Sequence, residues 1–106
     1  VDGSDDPARP TADDEVPVEY VELYWRRGCG FCSRLIRGLE ATGLPVRMHD
    51  IWADPEAAAT VRAAARGNET VPTVGVAGEY LVNPSLDDVV ELVGRRAPHL
   101  TERPAG

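Results

Sequence analysis

The sequence predicts an α/β domain in which a single mixed β-sheet carries helices on both faces. Strand-like and helix-like segments follow one another in the order strand, helix, strand, helix, strand, strand, helix along the 106 residues. The first two strands flank a helix, so they pair in parallel through a crossover. The last two are separated only by Ala77-Gly78, a two-residue turn signal, so they form an antiparallel hairpin. With 42% apolar and 27% charged side chains at this length, the chain has material for one compact core and not for two.

Residues 1–17 (VDGSDDPARPTADDEVP) offer almost no apolar surface to offset the entropy of ordering, so a disordered acidic tail is expected. Over residues 18–25 (VEYVELYW) apolar and charged side chains alternate with one break in phase, and the β-branched and aromatic content favours a strand. Beyond Arg26-Arg27-Gly28-Cys29-Gly30, the residues Phe31, Cys32, Leu35, Ile36 and Leu39 recur at helical spacing to about Ala41, and Thr42-Gly43 supplies the stop. Residues 44–51 (LPVRMHDI) form the second predicted strand. Asp54 is the expected N-cap of an Ala-rich helix with Pro55 at its first position, ending at Gly67-Asn68. Strands at 73–76 and 79–82 follow, and Ser85 caps a last helix whose Leu86, Val89, Val90 and Val93 fall at i, i+3, i+4 and i+7. The folded domain is expected over 18–97, with 98–106 a flexible C-terminal tail.

The net charge of -7 is unevenly placed. Asp2, Asp5, Asp6, Asp13, Asp14 and Glu15 against Arg9 give the first 15 residues -5, which leaves 12 acids and 10 bases, a net of -2, for the rest. Such a domain has no basic footprint for nucleic acid. Its apolar runs fall far short of the roughly 20 residues that cross a bilayer, and no export signal opens the chain. A cytoplasmic monomer is expected.

Two cysteines in this chain are too close in sequence to staple the fold, because a Cys29–Cys32 bridge closes too small a loop. Their purpose is chemical. A Cys-x-x-Cys at a strand-to-helix junction puts the first sulfur where unpaired backbone N–H groups and the helix dipole stabilise a thiolate. Cys29 is therefore the expected nucleophile, and Cys32, one helical turn on, the resolver of a mixed disulfide. Arg26 and Arg27 add positive potential, modest if solvated. Zinc would require four ligands, and the two histidines, His49 and His99, are isolated. Phe31 either rims the site or packs in the helix. In Thr70-Val71-Pro72-Thr73 the proline cannot donate to a ladder, and an X-Pro bond at such a turn is where a cis peptide can be held.

Taken together, Cys-Gly-Phe-Cys at a helix start, Thr-Val-Pro before the third strand and an acid-capped last helix resemble the glutaredoxin branch of the thioredoxin superfamily. Gly67-Asn68-Glu69-Thr70-Val71-Pro72-Thr73-Val74 followed by Asn83-Pro84-Ser85 resembles, more narrowly, the mycoredoxins of actinobacteria, over about residues 18–94. The resemblance implies a thioredoxin fold, glutaredoxin-like, with a four-stranded mixed sheet flanked by three helices. It also implies a cis Pro72 beside Cys29 and a Val71 whose backbone N–H and C=O meet an extended thiol ligand. That ligand would be mycothiol, a cysteinyl glucosamine-inositol compound without glutathione's two peptide carboxylates. Glutathione-using relatives usually carry Gly-Gly where this chain has Asn83-Pro84, and Pro84 removes a backbone donor there. Arg27, Phe31 and Thr70 would border the ligand, while Asn83, Ser85 and Asp87 would contact its sugars unless helix capping occupies the last two.

There are departures from that pattern. Many mycoredoxins place Trp directly before the first Cys, where this chain has Gly28, and the Ser-Gly-Phe-Arg-Pro-Asp type segment of ribonucleotide-reductase redoxins is missing. The implied activity is reduction of mixed disulfides between proteins and mycothiol by the Cys29 thiolate. Two alternatives stand beside it: a dithiol protein-disulfide reductase using both cysteines and fed by a thioredoxin-type reductase, and an iron–sulfur cluster carrier, against which Cys32 argues.

Overall fold

In the computed structural model, which describes residues 18–102, strand β1 (Val21–Trp25) leads through a short loop into helix α1 (Gly30–Thr42) and back into β2 (Val46–Asp50). Helix α2 (Pro55–Ala64) crosses to the hairpin β3 (Thr73–Val76) and β4 (Glu79–Val82), and α3 (Leu86–Arg96) follows. The acidic tail expected over 1–17 lies outside the described residues, as does 103–106.

The sheet order is β2-β1-β3-β4. β1 and β2 pair in parallel with Val21 opposite Val46, β1 and β3 antiparallel with Leu23 opposite Val74, and β3 and β4 antiparallel with Val74 opposite Leu81. This is the four-stranded mixed sheet with three helices that the sequence predicts.

Alternation along β1 and β3 assigns the two faces. Val21, Leu23, Val74 and Val76 meet Leu35 and Leu39 of α1 and Val89, Leu92 and Val93 of α3 in one core. On the other face Tyr24 meets Ile51 and the small residues Ala57, Ala58 and Val61 of α2, in a cluster that also holds both cysteines. The connections use the residues their geometry demands. Gly43 closes α1 in the left-handed region at φ 78°, and Ala77 and Gly78 both take positive φ in the two-residue hairpin turn.

The structure differs from the sequence reading in three places. β1 starts at Val21, where the alternation settles into phase, and β2 is limited to the five residues that pair with it. The buried stripe of α3 runs from Leu86, half-buried at its edge, through Val89, Leu92 and Val93 to Ala97, while Val90 is 40% exposed, because the stripe turns to Leu92 and leaves Val90 on its outer side. The chain also stays packed past residue 97. A 3₁₀ turn at Pro98–Glu102 drives Leu100 into the core at 3% exposure, and His99 Nε2 donates to the Val18 carbonyl at 2.6 Å. A boundary at 97 is therefore too early, and 98–102 is not a loose tail.

Candidate active site

Cys29 is the N-cap of α1, with extended backbone at φ -97° and ψ 108°. Its Sγ occupies the place a serine or aspartate oxygen takes in ordinary caps and accepts the Cys32 N–H at 3.3 Å. Gly28 makes the approach possible at φ 76°; a Cβ there would meet nothing within 4 Å, so conformation and not space demands the glycine. Cys29 is 8% exposed and Cys32 1%.

The two thiols are driven apart in acidity. Burial works against the Cys29 thiolate, but hydrogen bonds from the Cys32 thiol, the Cys32 N–H and the Phe31 N–H, with the positive charge of Arg26, outweigh it and hold the pKa below the ordinary thiol value. Cys32 is pushed up to about 12, first by burial and then by its hydrogen bond to Cys29 and the charge of Cys29, which the Arg26 N–H and guanidinium only partly offset. Cys29 is thus the thiol that ionises first, while Cys32 keeps its proton at neutral pH.

The segment before β3 forms the opposite wall. Its Val71–Pro72 peptide is cis, both residues are buried, and the Cys29 thiol faces the Val71 carbonyl at 3.9 Å. The Thr73 hydroxyl donates to the Thr70 carbonyl at 2.8 Å, and the Asn83 N–H donates to the Pro72 carbonyl at 2.7 Å, tying the end of β4 to this wall. Asn83 is exposed in the left-handed region at φ 53°, followed by buried Pro84. Ser85 and Asp88 form a reciprocal capping box at α3, with the Asp88 N–H on the Ser85 hydroxyl and the Ser85 N–H on the Asp88 carboxylate. The Ser85 oxygen is thus committed to the cap, while Asp87 is exposed in the first turn.

The structure brings Cys29, Cys32 and Val71 into direct contact, joins Asn83 to them through Pro72, and leaves Arg27 and Phe31 on the surface. Phe31 is 62% exposed, with the Arg34 guanidinium 5.6 Å from its ring centre, so it stands out of the core. Arg26 and Arg27 part company: Arg26 is half-buried and lies 5.4 Å from the ring centre of Trp52, while Arg27 is exposed. Sequence reasoning missed Trp52; its only signal is a large aromatic next to a helix cap. It also left His49 idle. His49 bonds Glu22 at 2.7 Å beside the Arg47–Glu22 pair and stacks on Tyr24 at 4.7 Å, bridging β1 and β2.

The sequence model of the Glutaredoxin family matches residues 21–81. No curated protein matches the chain. Buckwheat glutaredoxin, solved as a complex with glutathione, is 25% identical with a TM-score of 0.56, the match covering 87% of this chain and 86% of that one. Reduced glutaredoxin C1 from Populus tremula x tremuloides is 23% identical with a TM-score of 0.53, over 87% of this chain and 77% of that one. A thioredoxin-like protein, BC3987, is 19% identical with a TM-score of 0.61, over 69% of this chain and 97% of that one. These neighbours share the fold, and the family match runs over more than half of the chain and across both Cys29 and Pro72. The chain belongs to the glutaredoxin family of thiol–disulfide oxidoreductases.

Proposed function

We propose that this glutaredoxin reduces mixed disulfides between proteins and mycothiol, and that Cys29 alone carries the reaction. The family couples disulfide-containing protein partners to a low-molecular-weight thiol of the glutathione type. The observation that carries the single-cysteine reading is the opposed acidity of the two thiols: Cys29, at the helix N-terminus, is shifted toward the thiolate while Cys32, 1% exposed, is pushed up to about 12 and keeps its proton.

The Cys29 thiolate attacks the mycothiol sulfur of the mixed disulfide. That S–S bond breaks, the protein leaves as a thiolate that takes up a proton, and Cys29 is left disulfide-bonded to mycothiol. The thiolate of a second mycothiol attacks the same mycothiol sulfur, frees Cys29 and leaves as mycothiol disulfide, which a NADPH-dependent reductase returns to two thiols. The disulfide bond thus moves from the protein to a pair of mycothiol units at the expense of one free mycothiol, and the two electrons that finally reduce it come from NADPH. In the adduct Cys29 no longer carries charge, so one cause of the raised Cys32 pKa is gone. Burial of Cys32 persists, and the external thiol wins the resolving step.

The choice of mycothiol is supported by Asn83-Pro84, where a buried proline offers no N–H to a carboxylate. The Val71 N–H and C=O would pair with the cysteinyl part, bordered by Thr70, and Asn83, the Ser85 hydroxyl proton and Asp87 would meet polyol oxygens. Mycothiolated proteins are then the partners and the cytoplasm the compartment; no helix among the described residues is long and apolar enough to cross a membrane. The hydrogen bond between the two cysteines also favours a second reading, a dithiol route through a Cys29–Cys32 disulfide.

The two are separated by assaying wild type, Cys29→Ser and Cys32→Ser on a mycothiolated protein with mycothiol, its disulfide reductase and NADPH, beside the glutathione system. Activity lost in Cys29→Ser, kept in Cys32→Ser and dependent on mycothiol is the expected result. Loss in both variants establishes the dithiol route, and equal use of glutathione removes the mycothiol reading.

A further inference from the structure

We propose that a small hollow beside the Cys29 loop, walled by Trp52, Asp50 and Arg27, seats a sugar or cyclitol ring of the thiol co-substrate. The inference rests on the reading of that co-substrate as a glycosylated thiol.

The hollow is built by a fixed turn. At the end of β2 the Ile51 N–H donates to the Trp25 carbonyl at 2.9 Å, pinning the following residues to the end of β1. The Asp50 Oδ1 accepts the Trp52 N–H at 2.9 Å, and the Asp50 carbonyl accepts the N–H groups of Ala53 and Asp54 at 3.1 and 3.0 Å. Trp52 is thereby presented outward at 63% exposure, against the tendency of so large a ring to bury its apolar surface. The Arg26 guanidinium packs over its ring, 5.4 Å from the centre. Arg27, Asp50, Trp52 and Ala53 line an open hollow of about 210 Å³. That is below the roughly 300–1,000 Å³ of sites that hold a drug-sized ligand, and it suits a single ring.

The chemistry of the walls selects the ring. A saturated polyol ring has a C–H face that packs on an aromatic surface and hydroxyls around its edge that both donate and accept. Asp50 spends one carboxylate oxygen on Trp52 and has acceptor capacity left for hydroxyls, while the exposed Arg27 guanidinium supplies donors. Location agrees with this use. Arg27 precedes Cys29 by two residues, about 7 Å of chain, so a ring tethered to the reacting sulfur by a cysteinyl unit reaches the hollow.

The test compares one protein disulfide-linked either to mycothiol or to N-acetylcysteine, which keeps the thiol part and lacks both rings. The readout is the ratio of kcat/KM for the two substrates, because any change in the Cys29 thiolate transmitted through Arg26 enters both values and cancels. Wild type is expected to favour the mycothiolated form, Trp52→Ala to lose about tenfold of that preference, and Asp50→Asn to lose part of it. A melting curve on each variant reports that it is folded. A preference intact in folded Trp52→Ala overturns the subsite and leaves the co-substrate reading standing. Absence of any preference in wild type overturns the co-substrate reading, and the subsite with it.

Discussion

Cys29 and Cys32 are three residues apart and share a hydrogen bond, yet one ionises readily and the other is pushed up to about 12. The difference is positional. Cys29 caps the helix and receives N–H donors, whereas Cys32 is buried inside the first turn and donates its S–H to its neighbour in a hydrogen bond. For the reduced protein, alkylation of Cys29 by iodoacetamide is expected to rise to a plateau with a midpoint below that of a free thiol, about 8.5. Cys32→Ala, which deletes the thiol donor, moves the midpoint upward. The linked effect on stability has a definite sign: the folded pKa lies below the unfolded one, so this contribution is complete above the unfolded value and lost as pH falls through the folded value. A wild-type midpoint at or above that of a free thiol would contradict the assignment of the nucleophile. At this scale the cysteines were legible because a helix N-terminus is a local feature. The split between Arg26 and Arg27 was not, because what distinguishes them is Trp52, brought alongside Arg26 only when β2 returns beside β1.

Helix ends carry local signatures, and those were read correctly: Asp54 before Pro55, Gly43 after α1 and Ser85 before α3 all cap as their residue types dictate. The phase of α3 was harder, since Val90 and Leu92 are both apolar and only packing against α1 and β3 decides that Leu92 is covered. Gly75 makes the same point for strands. A glycine inside β3 reads only as a weak position. Its reason lies on β4, where the Tyr80 ring crosses so closely that a Cβ on Gly75 would sit 2.6 Å from Cε1. Of the caps, the one at α3 has both halves in place and stands beside the wall that faces Cys29. Ser85→Ala leaves the Asp88 N–H without its acceptor and is expected to cost about 1 kcal/mol, read as a melting temperature lower by about 4–8 °C. Ser85→Asp, which restores an acceptor, should recover most of it. A drop that Asp does not rescue would assign Ser85 a role other than capping.

On the scale of the whole molecule, the two ends of the described chain meet at one end of the sheet and the chemistry sits at the other. Val18 leads into β1 and is held by His99, while Cys29 follows the far end of the same strand, about 17 Å away along five residues. Leu100 closes the core at the Val18 end: it belongs to the same buried cluster as Val21 and Val76, and its N–H donates to the Ala97 carbonyl at 3.0 Å. Its contribution escaped the sequence reading because one leucine among Pro, His and Thr has no periodicity; only the finished core shows the space it fills. Leu100→Ala removes buried side-chain volume at the margin of the core and is expected to cost about 2–3 kcal/mol, lowering the melting temperature by about 10 °C or more. The Cys29 alkylation midpoint at 25 °C should not move, since no residue that sets it touches that end. A melting temperature unchanged by Leu100→Ala would mean that the 3₁₀ turn contributes nothing to the fold and that the domain ends at 97. A shifted midpoint in a folded Leu100→Ala variant would mean that strain travels the length of β1, and that the two ends of the sheet are coupled rather than independent.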